Sequence, residues 1–244
     1  MYGWHPIHEH LQALPHHFLE LYLLPSLRGT TIDQLARQAN IPVRYESASF
    51  LDAFSQGGVH QGVAARLRPF PYVPLHDIVA TKAELLLVLD GILDPRNLGA
   101  LLRTAEGAGI GGVILTEMRS APLSPLVEKT ATGATAHLPI CQVENLARAL
   151  SIIRENGYWL VGLVPDAPQS LYDLPLSRKI ALLVGGEGKG LRSLTRQLCD
   201  CLVAIPMRGK VRSLNVSVAG AIALYEFFRR NLEQGHQEKR NRVG

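Results

Sequence analysis

Ile180-Ala-Leu-Leu-Val-Gly-Gly-Glu-Gly-Lys-Gly190 is an apolar run that opens into four glycines within six residues. Five consecutive apolar residues without alternation read as a strand buried on both faces, as in a parallel sheet. The following Leu191 to Leu198 has helical spacing, so the unit is strand, glycine loop, helix. It is not a phosphate-binding P-loop, because GxxxxGK would need glycine where Leu183 stands. Four glycines imply positive φ angles or a close backbone approach to a ligand. Glu187 in their midst would repel an anion, and suits a site that receives hydrogen-bond donors or orients an arginine.

Outward from this stretch the same alternation repeats. Leu85–Leu89, Val113–Leu115, Pro139–Val143, Trp159–Val164 and Leu202–Ile205 read as strands. Asn97–Ala108, Leu126–Thr132, Leu146–Asn156 and Val216–Asn231 read as helices. That order argues an α/β fold with a parallel sheet covered by helices on both faces. Ligands of such sheets bind beyond the C-terminal strand ends. The loops after Leu89, Val184 and Ile205 are therefore where chemistry is expected. All three carry glycine, an acid or amide, and basic residues.

The N-terminal part reads as a small mixed domain. Ile7–Leu14 and Thr31–Asn40, the latter with a threonine cap, are expected helices. Phe18–Leu23, Pro42–Tyr45 and Val63–Leu67 are expected strands, with a tight loop at Gly57–Gly58. Arg68 to Asp77 holds three prolines in ten residues, which disfavours helix and central strand alike. The expected division is residues 1–68 as the first domain, 69–80 as linker, 81–234 as the second domain and 235–244 as a polar tail that frays.

Composition agrees with a folded, intracellular chain. Of 244 residues 47% are hydrophobic and 19% charged, which excludes wholesale disorder. The longest stretch without a charged residue, Thr130 to Val143, is too short and too polar to span a membrane. The first fifteen residues lack the basic-then-apolar order of a signal peptide. Cys141, Cys199 and Cys201 form neither a disulfide framework nor a zinc pair, which fits a reducing cytosol. The net charge of +4 is too small to announce a nucleic-acid binder. It divides unevenly: five arginines against six acids to Asp77 give −1, leaving +5 for the rest.

Several motifs have plainer readings. Gly107, Gly109 and Gly112 spell a dinucleotide fingerprint, but a helix precedes and a strand follows, the reverse of what that motif needs. His5, His8 and His10 have no carboxylate or cysteine at a metal-binding distance and read as histidines on a surface helix; no metal is expected. Asn97 and Asn215 can each be a helix cap or a site residue. Arg103 lies among leucines on a helix expected to be buried; it then needs a partner, and Glu187 is available.

Together the three loops carry a resemblance. Asp94-Pro-Arg-Asn-Leu-Gly-Ala-Leu-Leu-Arg-Thr-Ala105, Gly185-Gly-Glu-Gly-Lys-Gly190 and Ile205-Pro-Met with Ser213-Leu-Asn-Val-Ser-Val-Ala219 resemble, in order, the motifs of the SpoU (TrmH) family of RNA ribose 2′-O-methyltransferases. Tyr2-Gly, His5, Ile7 and Val59-His-Gln-Gly-Val63 are similar to that family's L30e-like substrate-binding domain. The resemblance implies a SPOUT catalytic domain ending in a trefoil knot, with the L30e-like domain before it. It implies S-adenosylmethionine held by Gly185, Gly186, Gly188, Ile205, Met207 and Leu214. It implies Arg103 as the catalytic arginine, with Asn97, Glu187, Ser213 and Asn215 around it. Arg208, Lys210 and Arg212 become candidates for RNA phosphates. The implied protein is a cytoplasmic homodimer with neither DNA nor membrane partner, and its substrate is a guanosine of 23S rRNA. The rivals are a tRNA ribose methyltransferase of the same family and a non-catalytic RNA-binding or ribosome-assembly protein.

Overall fold

The computed structural model describes residues 1–81, 83–175 and 179–241, with side chains as far as residue 232. The first unit runs α1 (Trp4–Ala13), β1 (Phe18–Leu23), α2 (Thr31–Gln38), β2 (Val43–Tyr45), α3 (Ala48–Phe54) and β3 (Val63–Leu67). Its sheet order is β2-β1-β3; β2 is parallel and β3 antiparallel to β1. Ile7, Leu11, Leu21, Leu23, Ile32 and Val63 form its core. Helix α1 starts earlier than expected because Pro6 falls in its first turn, where the missing N–H has no partner to lose. Helix α2 has no side-chain cap, since the Thr30 hydroxyl donates back to Leu27 O. Helix α3 was not expected: Ser47 caps it by accepting from Phe50 N at 3.2 Å, and Phe50 and Phe54 each lie 5.1 Å from the Tyr22 ring.

The second unit runs α4 (Leu75–Val79), β4 (Leu85–Asp90), α5 (Pro95–Gly107), β5 (Val113–Thr116), α6 (Pro125–Ala131), β6 (Ile140–Val143), α7 (Leu146–Glu155), β7 (Tyr158–Leu163), β8 (Gln169–Ser170), β9 (Lys179–Gly185), α8 (Ser193–Leu198), β10 (Cys201–Ala204) and α9 (Val216–Asn241). The sheet order is β6-β5-β4-β9-β7-β10-β8, and each of its pairings is parallel. Alternation along β4 sends Leu85, Leu87 and Leu89 to one core and Leu86 and Val88 to the other. Both faces are thus covered, as the unbroken apolar runs require. The chain builds outward from β4 to β6, crosses to β7 and returns to insert β9 beside β4. The topological switch therefore lies at the C-terminal ends of β4 and β9, where ligands of such sheets bind.

Three departures from expectation have local causes. The proline stretch is bound to the second unit: Phe70 and Tyr72 pack on its core and Val73 N donates to Ile140 O at 2.9 Å. Helix α4 begins directly after Pro74, which the first turn tolerates. Helix α9 passes Asn231 and runs to Asn241, where Glu, Gln, Lys and Arg, good helix formers, outnumber Gly235 and His236; the last three residues of the expected tail lie outside the described ones.

Helix α1 docks the first unit on the second. His10, expected on a surface, is fully buried, its Nε2 lying 3.6 Å from Glu128 Oε2 of α6. The buried Thr135 hydroxyl donates to Glu128, and His10 Nδ1 contacts Pro6 O at 2.9 Å. Burial depresses His10 to about 4 and pushes Glu128 up to about 7. Among the described residues no helix is long and apolar enough to cross a membrane.

Candidate active site

Strand β4 ends in Asp90, whose buried carboxylate accepts from Arg192 N at 3.1 Å and from the Arg192 guanidinium. This ties the loop after β4 to the loop after β9. Asp94 then caps α5, accepting from Arg96 N at 2.7 Å, with Pro95 in the first turn. Because Asp94 takes the capping role, the Asn97 side chain is free for another.

Each loop glycine has an internal cause. A Cβ on Gly185 would lie 2.0 Å from Gly190 C, and one on Gly186 would lie 1.9 Å from Gly91 O. Gly188 and Gly190 hold φ of 84° and 62°, where only glycine is unstrained. The glycine loop is therefore folded upon itself and pressed on the β4 loop.

That folding carries Glu187 over the start of α5. Glu187 Oε2 accepts from Leu93 N at 3.2 Å, and Oε1 accepts from Asn97 Nδ2 at 2.7 Å. Asn97 Oδ1 accepts from Asn215 Nδ2 at 3.1 Å. Asn215 Oδ1 accepts from Ser217 N at 2.9 Å and Ser217 Oγ at 2.6 Å, capping α9. Asn215 thus fills both roles open to it, cap and site residue. One hydrogen-bond chain joins three loops, with Asn97 bonded to partners 90 and 118 residues away in sequence. Burial alone would raise the Glu187 carboxyl, but the Asn97 amide and the backbone N–H groups of Leu93 and Asp94 hold it below the ordinary glutamate range.

Beside this chain lies a cavity of about 390 Å³. Gly185, Gly186, Glu187, Gly188, Ile205, Met207, Arg212, Ser213, Leu214 and Asn215 line it. Sequence reading missed Leu163, Val164 and Pro165 at the end of β7, together with Val216 and Ala219 of α9. The strand-end rule that pointed to the other loops applied to β7 too; with Asp166 but neither glycine nor a basic residue, the loop lacked the pattern shared by the others. The wall is mostly apolar side chains and backbone groups, joined by the Glu187 carboxylate and by the side chains of Arg212, Ser213 and Asn215. This donor set fits S-adenosylmethionine, which has a flat apolar base and a positively charged sulfur, and the volume lies within the usual range for such ligands.

Arg103 is elsewhere. Six residues beyond Asn97 on α5, it points roughly 240° around the helix and lies about 9 Å along it. The expectation of a buried Arg103 paired with Glu187 is corrected: Arg103 is exposed, and its Nη1 donates to Thr132 Oγ1 at 3.1 Å. It lines a second hollow of about 270 Å³ with Glu9, Glu106, Thr132, Gly133 and His137. Arg208 and Lys210 are exposed on the loop after β10 and line neither space.

Residues 84–225 match the profile of the SpoU rRNA methylase family, and residues 1–73 match that of the RNA 2′-O ribose methyltransferase substrate-binding domain. The chain is similar to the 23S rRNA (guanosine-2′-O-)-methyltransferase RlmB of Yersinia pestis, at 40% identity over 94% of this chain and 96% of that one. Its fold resembles the SpoU methyltransferase AviRb of Streptomyces viridochromogenes, solved with the cofactor AdoMet (TM-score 0.82, 24% identity, 95% and 89% of the two chains). It also resembles an AdoMet-bound rRNA methyltransferase from Sinorhizobium meliloti (TM-score 0.78, 25% identity, 94% and 86%). With its three motif loops joined by one hydrogen-bond chain and these matches along nearly its whole length, the protein belongs to the SpoU rRNA methylase family.

Proposed function

We propose that this protein transfers a methyl group from S-adenosylmethionine to the ribose 2′-hydroxyl of a guanosine in 23S rRNA. The observation that carries the reading is the Glu187–Asn97–Asn215 chain at the mouth of the apolar cavity. When bound, S-adenosylmethionine supplies a methyl on a cationic sulfur, an electrophile that needs no further activation. The task left to the protein is positioning and charge.

Leu163, Val184, Ile205 and Leu214 offer an apolar slot for the adenine, and the backbone of the two loops offers its edge hydrogen bonds. The ionised Glu187 favours a positive charge at the cavity mouth. Asn97 and Asn215, each fixed by the other, orient the incoming ribose, and Ser213 lies beside them. Arg103 supplies the positive charge that favours the 2′-oxygen as it gives up its proton. A guanidinium keeps its own proton at neutral pH, so the proton leaves to water or an RNA phosphate. Arg208, Lys210 and Arg212 meet the RNA backbone.

A homodimer belongs to this reading, because Arg103 stands outside the cavity of its own protomer. Val218, Tyr225 and Leu232 form an exposed apolar stripe on α9 at heptad spacing. Tyr225 lies against Gly107, one helical turn beyond Arg103 on α5. Pairing through that stripe would bury it beside Arg103 and bring the guanidinium to the partner's cavity. The division at 1–68, 69–80, 81–234 and 235–244 belongs to the reading too, with the first part selecting RNA and the third catalysing. So does the trefoil knot: the segment from Ile205 to Asn215 crosses the ends of β7 and β9 to reach α5. The location is the cytoplasm, where bacterial ribosomes are assembled.

Calorimetry with S-adenosylmethionine and with NADH, followed by single-turnover methylation of 23S rRNA, tests the reading. Binding of the first ligand only, with methyl transfer to ribose, is expected. Binding of NADH, or methylation of a base, would overturn it.

A further inference from the structure

We propose that Thr132 is a positioning residue that holds the Arg103 guanidinium, and that helix α1 keeps Thr132 in the conformation that does so. The proposal rests on Arg103 acting in methyl transfer as read above.

Thr132 ends α6 in the left-handed region, with φ 56° and ψ 34°. A turn that only had to close a helix is served by glycine or asparagine at such a position. A β-branched residue there is a conformational outlier that the surroundings must hold. The pose aims its hydroxyl at α5: Thr132 Oγ1 accepts from Arg103 Nη1 at 3.1 Å and donates to Thr130 O at 3.3 Å. Among the described residues Thr132 is the hydrogen-bond partner recorded for this guanidinium. A residue in strained backbone thus touches a motif arginine that the cavity does not hold.

What fixes the strained turn comes from the other unit. Gly133, next in sequence, also has a left-handed φ of 90°, and a Cβ there would lie 2.6 Å from Glu9 Cβ and Cγ of α1. Two residues on, Thr135 is buried against His10 and Glu128. Two residues further, His137 Nε2 lies 3.0 Å from Glu9 Oε2. Helix α1 therefore grips 133, 135 and 137, the stretch that follows Thr132. The hollow between them is walled by Glu9 from one unit and Arg103 from the other. Glu9 of the domain read as selecting RNA thus packs on Gly133, whose neighbour Thr132 holds the arginine read as acting on ribose.

The test uses the full chain with Thr132→Ala, Thr132→Ser and Thr132→Asn. Alanine removes the acceptor and the β-branch, serine keeps the hydroxyl, and asparagine offers an amide oxygen and tolerates the left-handed backbone. Single-turnover methylation of 23S rRNA, affinity for S-adenosylmethionine and Tm are measured for each. The expected result is a rate loss of about ten- to a hundredfold in Thr132→Ala, as for a lost hydrogen bond to a charged group. Cofactor affinity and Tm are unchanged, and the serine and asparagine variants keep most of the rate. Gly133→Ala, which wedges a methyl against Glu9, is expected to slow the reaction likewise.

A wild-type rate in Thr132→Ala beside an inactive Arg103→Lys would overturn this proposal alone. Full activity in both would overturn the role given to Arg103. Equal rate losses in the alanine and serine variants, or a rate loss that tracks Tm or cofactor affinity, would make Thr132 a structural residue and also overturn it. A wild-type rate in Gly133→Ala would remove the part assigned to α1.

Discussion

Asn97 and Arg103 stand on one helix, six residues apart, and are held in opposite ways. Asn97 is locked: its amide donates to Glu187 and accepts from Asn215, and both partners are fixed in turn by backbone groups. Arg103 is exposed and rests on one threonine hydroxyl. The difference separates two tasks. A cavity for a small molecule can be completed within the protomer before the ligand arrives, and its groups can be satisfied by one another. On the proposed reading Arg103 meets a large, charged RNA, and its surroundings are left to be completed from outside, by the substrate or a second copy of the chain.

The most damaging way to break the locked end is Gly186→Ala. The added methyl falls 1.9 Å from Gly91 O, where backbone has no room to yield. We expect a cost of about 3 kcal/mol or more, a fall in Tm of roughly 10 °C, and loss of cofactor binding by calorimetry. Normal binding would mean that the glycine loop is not pressed on the β4 loop.

Arg103→Lys breaks the open end and spares the locked one. It keeps the charge but loses the planar fork. A fall of about a hundredfold in single-turnover rate is expected, as for loss of a group that stabilises an oxyanion, with cofactor affinity unchanged. A near-normal rate would remove Arg103 from the chemistry. Mixing Arg103→Lys with Gly186→Ala protomers, the latter expected to lose cofactor binding, sharpens the point: if Arg103 serves the partner's cavity, the mixture regains activity that neither variant has.

Glu187→Gln is milder. One amide oxygen replaces two carboxylate oxygens, so Leu93 N and Asn97 no longer both have an acceptor, and the anion at the cavity mouth is lost. About a tenfold weaker affinity for S-adenosylmethionine is expected, equal to about 1.4 kcal/mol. Unchanged affinity would place the cationic sulfur away from Glu187.

The smallest effect concerns the docking of α1. Glu128 is raised from 4.5 to about 7, so its contribution to stability is full below 4.5 and is lost as pH rises through 7. His10 is depressed from 6.5 to about 4, so its contribution is full above 6.5 and is lost as pH falls through 4. Between pH 4.5 and 6.5 the two trends oppose each other, and stability from this pair is nearly flat. Glu128→Gln leaves His10 alone, and Tm of the variant should then rise relative to the parent as pH goes from 4.5 to about 7, the window in which the parent loses the Glu128 contribution. Parallel Tm profiles would contradict the burial of the pair.

The same contrast explains what could be read in advance. Strands β4 and β9 were legible because five-residue apolar runs leave no other use for the chain, and the loops beyond them followed from strand direction. Asn97, Glu187 and Asn215 were legible as polar groups at those strand ends, though their mutual bonds were not. Helix α3 was hidden because seven residues carry too little periodicity, and its aromatic packing on Tyr22 is tertiary. Arg103 was misread as buried because its leucine neighbours Leu101 and Leu102 are buried on other faces of α5. His10 was misread as surface because its partners, Glu128 and Thr135, lie more than a hundred residues away. The loop glycines were legible as positive φ angles or a close backbone approach to a ligand: Gly188 and Gly190 have the φ angles, and Gly185 and Gly186 line the cavity while pressed by neighbouring backbone, which the sequence did not show.

Ribose-methylation mapping of 23S rRNA and tRNA in cells with and without this protein tests the central claim most directly. The account predicts that one guanosine of 23S rRNA loses its 2′-O-methyl group and that tRNA is unchanged. An unaltered 23S rRNA pattern, or a methyl group missing from tRNA instead, would contradict it.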